Sequence, residues 1–290
     1  MPISHIAAMM LTVLVWALNH LAVKIGVGSC PPLLFAAVRL SIVALVLLPF
    51  SSPPRGAWAA IGWISFWFGA VSLGLSSISL VGIDAATSAI VVNLGTPFSI
   101  LAGRIAFGEK FGAWRWAGVA TSFVGVALLA GEPTNVSPWY FVAAVVSIGC
   151  WAVANAKIKS LTQLSAVTVN GWVSALAAVQ LAAASWVLED HQVAALVNAD
   201  TQLVGALLFA ALASSVIGHT LWNWLLQRHP ISTIAPFNLL VPFVGFVAAL
   251  IVLDEPLTWQ KAAGGLLAVA GVSVIQLRLF IQSRGRPAAP

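Results

Sequence analysis

Charge is what this chain has least of. Its 290 residues include 13 Lys and Arg and 8 Asp and Glu, 7% in all, while 60% are hydrophobic and the mean hydropathy is +1.00. A soluble globular chain carries about 25% charged residues, so that class is excluded. The basic residues stand singly among short breaks, without a Lys/Arg stripe or interleaved aromatics, which excludes nucleic acid as a partner. Cysteine is scarce too. Cys30 falls in an early break and Cys150 inside a later apolar run, so the two read as small apolar fillers and not as a disulfide. A Walker loop is missing, which excludes an ATP-driven pump, and neither an HExxH nor an Asp pair at mid-span offers an intramembrane enzyme its chemistry. No cofactor or metal is implied.

What fills the chain instead is apolar sequence in runs long enough to cross a bilayer, about 20 residues each. The first, "ISHIAAMMLTVLVWALNHLAVKIG", lacks the basic start and the small-residue cleavage site of a secretory signal, so it reads as a retained span. Gly, Pro and polar clusters divide the whole into ten candidate helices at 4–25, 31–50, 57–80, 83–107, 112–130, 138–158, 163–188, 202–226, 230–253 and 259–280. Backbone groups in hydrocarbon must pair internally, so the expected fold class is an all-α integral membrane protein of ten transmembrane helices. Only "EDHQVAALVNAD" gives a longer loop.

Alternating the loops between the two faces puts Arg55, Arg104, Lys110, Arg115, Lys157, Lys159, Arg228, Arg278, Arg284 and Arg286 on one face. The other face receives only Lys24 and Lys261, together with seven of the eight acids; Glu109 is the exception. Lys and Arg mark the cytoplasmic side, so both termini are expected there, in an inner membrane. Residues 282–290 form a short cytoplasmic tail.

The chain repeats itself. Asn93 lies four residues before Pro97, and Asn238 four before Pro242; Glu109 then matches Glu255, and Gly118 and Gly125 match Gly264 and Gly271. Lys24 and Lys159 each follow a Trp, Trp16 and Trp151, by eight residues. Two units follow, 1–131 and 137–281. Each has five helices, an odd number, so the second enters the membrane inverted. Such halves can rock about a central site and expose it alternately, which is transporter logic.

These features resemble the EamA branch of the drug/metabolite transporter superfamily. The resemblance rests on "VWALNHLAVKIGVGSCPPLLFAAVRL", on the segments that run from Pro97 to "GEKF" and from Pro242 to "DEPL", and on the glycine-spaced helices after them. Within the family the likeness runs to bacterial exporters of amino acids and related metabolites, including those of O-acetylserine and cysteine and of aromatic amino acids. The resemblance implies a central cavity ringed by helices 3, 4, 8 and 9, joined by 1 and 6, with 5 and 10 peripheral.

Candidate functional residues follow from what is costly in hydrocarbon. Pro97 and Pro242 free the carbonyls of Asn93 and Asn238, placing an amide and an unpaired acceptor together at mid-membrane; with Pro236 they are candidate hinges. These patches bind substrate, or they fasten helices together. In "GHTLWNWLL", His219, Trp222 and Asn223 share one face, while Trp224 suits the membrane interface. Trp16, Asn19 and His20 form a similar cluster in the first helix, and Trp63 and Trp67 in the third could line the cavity or pack. Arg39 is the one cation well inside a span and needs a partner, a substrate carboxylate or a structural group; the family resemblance favours structure. Glu109 and Glu255 precede helices 5 and 10 and suit their amino ends, with Thr258 as a cap.

The expected function is export of an amino acid or related small metabolite by alternating access. A drug or lipophilic-cation exporter is the alternative, although the buried carboxylate it would favour is missing; a channel or intramembrane enzyme is remote. The partners are a small-molecule substrate and the lipid bilayer. The coupling and the oligomeric state stay open, a monomer being compatible.

Overall fold

The protein is described by a computed structural model covering residues 2–107, 112–130, 137–229 and 234–284. Glu109 lies outside the described residues, and of Pro236 only the backbone is described.

Among these residues the chain is helical without strands. Its long elements are α1 (Ile3–Val27), α2 (Pro32–Phe50), α3 (Trp58–Gly82), α4 (residues 85–107), α5 (Ala113–Ala130), α6 (Trp139–Lys159), α7 (Ala166–Leu188), α8 (Thr201–Arg228), α9 (residues 235–252) and α10 (Trp259–Arg284). Seven of them, α1–α3 and α5–α8, are long and apolar enough to cross a membrane; Ala85–Leu101, Phe237–Val252 and Trp259–Ile275 are shorter apolar helices. Their starts have local causes. Pro32 opens α2, where a missing N–H costs nothing. Ser165 Oγ accepts the Thr168 amide at 3.0 Å to cap α7, and Asp200 accepts that of Leu203 at 2.7 Å to cap α8. The expected long loop after α7 contains a short helix, Gln192–Val197.

Apart from the 3₁₀ turn Leu48–Phe50 that ends α2, departures from α geometry fall in pairs among the described residues. Helices α3 and α8 both widen to π turns, at Ser65–Ser72 and Phe209–His219. Helices α4 and α9 both tighten to 3₁₀ turns, at Val92–Leu94 and Ala235–Leu239, each just before a proline that cannot donate to the preceding turn. Asn93 and Asn238 sit in those 3₁₀ turns.

Packing is paired in the same way. Helix α1 lies against α8 and α9, and α6 against α3 and α4, while α2 packs along α7 and α5 along α10. The α5–α10 contact is backbone to backbone. A Cβ on Gly118 would stand 2.6 Å from the Gly271 carbonyl oxygen, and one on Gly125 would stand 2.6 Å from that of Gly264. Only glycine permits so close an approach.

At one end of the bundle the carboxyl ends of α1 and α3 meet the amino ends of α4 and α10. Lys24 donates to the carbonyls of Leu80 and Ile83, both at 2.9 Å, and so caps α3. The Glu255 carboxylate takes the amides of Ala85 and Ala86 at 2.7 and 2.9 Å. It therefore caps α4 and not α10, the helix it precedes in sequence, because the α9–α10 loop folds back over the α4 start. Thr258 does cap α10, accepting the Lys261 amide at 3.3 Å. Buried Lys261 pairs with Asp84. At the opposite end His5 and His229 meet, ring nitrogens 2.6 Å apart.

Candidate functional site

Where the π turn of α8 passes α1, the chain has glycine. A Cβ on Gly218 would lie 2.7 Å from Nε1 of Trp16, so the indole rests directly on the α8 backbone. The next residue, His219, lies 5.3 Å from Trp16 with the rings tilted at 52° and meets Phe68 of α3 edge-on at 5.3 Å; Trp222 also lies 5.3 Å from Trp16, tilted at 53°. Sequence spacing had put His219 and Trp222 on one face and Trp16 in a separate cluster. The fold brings all three together and adds Phe68.

Among the described residues, four polar side-chain atoms of the candidates are buried without a partner: the indole N–H groups of Trp16 and Trp222 in the cluster, and the side-chain oxygens of Asn19, three residues on from Trp16 in α1, and of Asn238 in α9. Buried polar groups are nearly always paired, and an orphan is a place where a ligand group fits. Two donors and two acceptors are left over among the candidates.

The other candidates divide. His20 is buried, with Nδ1 at 3.0 Å from the Ser88 hydroxyl of α4. Asn223 is buried on the Trp222 side of α8. Asn93 is buried, its amide donating to the Ile90 carbonyl of its own turn at 3.1 Å. Trp63 and Trp67 pack on each other at 6.3 Å and are 39% and 37% exposed. Trp224 sits at the end of the bundle, edge-on to His5 at 4.7 Å and under the Arg228 guanidinium at 4.5 Å.

Arg39 reaches inward from α2. Its Nε donates to Ser215 Oγ at 3.0 Å and its Nη2 to Ser214 Oγ at 3.4 Å, both in the π turn of α8. Asn170 of α7 donates to the Ser215 carbonyl at 2.9 Å and to Thr220 at 3.1 Å, locking that turn in place. Ser214, Ser215 and Asn170 were not singled out from sequence. A serine pair in an apolar helix is visible there, but which helix it faces is not.

A cavity of about 480 Å³ opens at the His5–His229 end, lined among others by Gln163, Thr220, Trp224, Gln227 and Arg228. Thr220 of this lining is the residue after His219, but none of Trp16, Phe68, His219 and Trp222 lines the cavity itself. His229, just past α8, has its pKa lowered, first by burial and then by the neighbouring charges of His5 and Arg228. Among the described residues no group of His, Cys, Asp and Glu is arranged to hold a metal.

The EamA-like transporter family matches residues 3–131 and again residues 137–277. A probable amino-acid metabolite efflux pump of Salmonella typhimurium is 29% identical over 283 residues, covering 91% of this chain and 92% of its own. The protein of the same description in Escherichia coli is 28% identical over the same share. A probable terminal-alkyne amino-acid exporter of Streptantibioticus cattleyicolor is 25% identical, covering 96% of this chain and 95% of its own. A crystal structure at 18% identity superposes with a TM-score of 0.68 over 96% of this chain and 98% of that one, a likeness of fold. With both stretches matched and a bundle of apolar helices around them, the chain is a multi-pass membrane protein and belongs to the EamA-like transporter family.

Proposed function

We propose that this chain exports amino acids or closely related small metabolites across the inner membrane, by alternating access between two inverted five-helix halves, 1–131 and 137–281. In this reading all ten helices cross the bilayer and both termini are cytoplasmic. The paired packing supports it: α1 leans on α8 and α9 as α6 leans on α3 and α4, and the π and 3₁₀ turns recur at twin positions. The vestibule at the His5–His229 end would then open to the cytoplasm, while Glu255 and its neighbours hold the far end shut.

The observation that carries the substrate reading is the set of orphaned groups on Trp16, Trp222, Asn19 and Asn238. Two indole donors in the aromatic cluster and two amide acceptors on α1 and α9 suit a small molecule that carries both donors and acceptors and an apolar part. Asn238, Asn19, His20 and Asn223 belong to the same proposed site, with Pro97 and Pro242 as the points where α4 and α9 flex. The names of the efflux pumps and the amino-acid exporter point the same way.

Purified protein in liposomes, assayed by counterflow against a panel of radiolabelled amino acids, tests this reading. Exchange of at least one amino acid is expected, lowered by Asn238→Leu and by Trp16→Phe, which removes the donor together with the pyrrole ring but keeps an aromatic face. Exchange of a lipophilic cation with no amino acid exchanged would overturn it.

A further inference from the structure

Arg39 is a buried cation with no acid beside it. It is 3% exposed, and among the described residues no carboxylate pairs with it; two serine hydroxyls accept from it instead. A guanidinium taken out of water is costly unless its charge is met, and a hydroxyl meets it only in part. The other titratable groups that feel its charge are His20 and His219, which bring no negative charge. The interior of the bundle is thus left positive at one point.

The serines carry a second, independent signal. In α2, α4 and α5, Ser41, Ser51, Ser99 and Ser122 each donate their hydroxyl proton to the carbonyl four residues back, at 2.7–3.0 Å. Ser214 and Ser215 make no such bond among the described residues; they accept from Arg39, and their own protons have no acceptor. The widened π turn moves the preceding carbonyls out of register, which leaves those protons available. One guanidinium and two hydroxyl groups therefore converge in a buried place where, among the described residues, no carboxylate faces them.

We propose that Arg39, with Ser214 and Ser215, receives the carboxylate of the transported substrate. One fixed positive charge matches the one negative charge of a carboxylate, whereas a phosphate monoester would bring about two. His219 joins this point to the aromatic cluster, since the same π turn carries the serines and ends at the imidazole that packs against Trp16. The substrate's carboxylate end would lie at Arg39 and its apolar part against Trp16, Trp222 and Phe68. Export would then require a free carboxylate. The proposal rests on the transport reading above and narrows it.

The test uses the amino acid that wild-type protein exchanges best in counterflow, competed by that amino acid, its carboxamide and its decarboxylated amine. Wild-type protein is expected to prefer the acid over both neutral-ended analogues by tenfold or more. In Arg39→Gln, monodisperse and inserted, the preference should fall to near unity; Arg39→Lys should keep part of it. A carboxamide that competes as well as the acid in wild type overturns the proposal, even if Arg39→Gln does not fold. So does an Arg39→Gln protein that retains the acid-to-amide preference, since a merely structural arginine would lower all rates together and leave that ratio alone. If no amino acid exchanges in wild type while a lipophilic cation does, the transport reading fails first and this one with it.

Discussion

The carboxylate of Glu255, at the end of α9, holds the backbone amide of Ala85 at the start of α4 at 2.7 Å, and Glu189, at the end of α7, holds that of Leu33 at the start of α2 at the same distance. Each acid takes a second amide as well, Ala86 and Leu34. In both cases a helix of one half is capped by the chain leaving its counterpart in the other half. The unsatisfied N–H groups of a helix start and its positive dipole end both favour a carboxylate there. Glu255→Ala and Glu189→Ala should each destabilise the protein by about 1–2 kcal/mol, by analogy with lost caps. Glu255→Gln keeps an acceptor and should lose less. Thermal unfolding of purified protein in detergent checks this; an unchanged melting temperature in both alanine variants would remove the capping role.

Lys261 and Asp84 make a different kind of contact. The ammonium is fully buried, while Asp84 is 38% exposed, so water screens one partner. Replacing Lys261 by Met should cost less than the about 3–5 kcal/mol lost when a fully buried pair is broken. Removing Asp84 alone should cost more than removing Lys261 alone, because it takes the carboxylate from a buried ammonium that still donates to the Pro256 carbonyl at 3.1 Å. The double variant Lys261→Met, Asp84→Leu should be more stable than Asp84→Leu. Melting temperatures of the three variants give the order, and a double variant worse than both singles contradicts it.

The sequence showed where the apolar runs begin and end, because Pro, Gly and polar clusters punctuate them, and the described helices follow those boundaries within a few residues. It also paired Asn93 with Asn238 and Gly118 with Gly264. What it could not show was direction. In a soluble helix the polar face marks solvent, but here lipid and core are both apolar, so periodicity says little about which face is inside. That is why the sequence leaves Trp63 and Trp67 open between cavity lining and packing, and why the partners of Arg39 were invisible. Glu255 misled for another reason: proximity in sequence suggested α10, and only the folded loop brings it to α4.

Glycines at the α5–α10 contact should tolerate no side chain. A Cβ on Gly125 would meet the Ala268 amide nitrogen at 2.5 Å, and backbone cannot move aside as a flexible side chain can. Gly125→Ala should force the two helices apart and destabilise by about 1–3 kcal/mol, the range of overpacked cores. Gly62 in α3 and Gly205 in α8 have nothing within 4 Å of the same atom, so Gly62→Ala and Gly205→Ala should be neutral or slightly stabilising, alanine being the better helix former. Equal melting temperatures for Gly125→Ala and Gly205→Ala would mean the α5–α10 approach is not tight.

Cys30, in the break between α1 and α2, reports on the same end of the bundle as Glu189. Its thiol is pushed up to about 11 from 9.0, first by burial and then by the Glu189 carboxylate. Only the thiolate reacts, so at neutral pH a two-unit shift leaves about 100-fold less of it than in the unfolded chain. In a Cys150→Ala background, maleimide labelling of Cys30 should be at least that much slower in native protein than after denaturation, and should accelerate as pH rises toward 11. Glu189→Gln removes the carboxylate's part of the shift and should speed labelling. Saturating substrate that draws this end open during transport should do the same by exposing the thiol, and the two effects separate by pH, since a change of pKa moves the titration curve while exposure raises the rate at every pH. Native labelling as fast as denatured would place Cys30 in water and the far end of the bundle open.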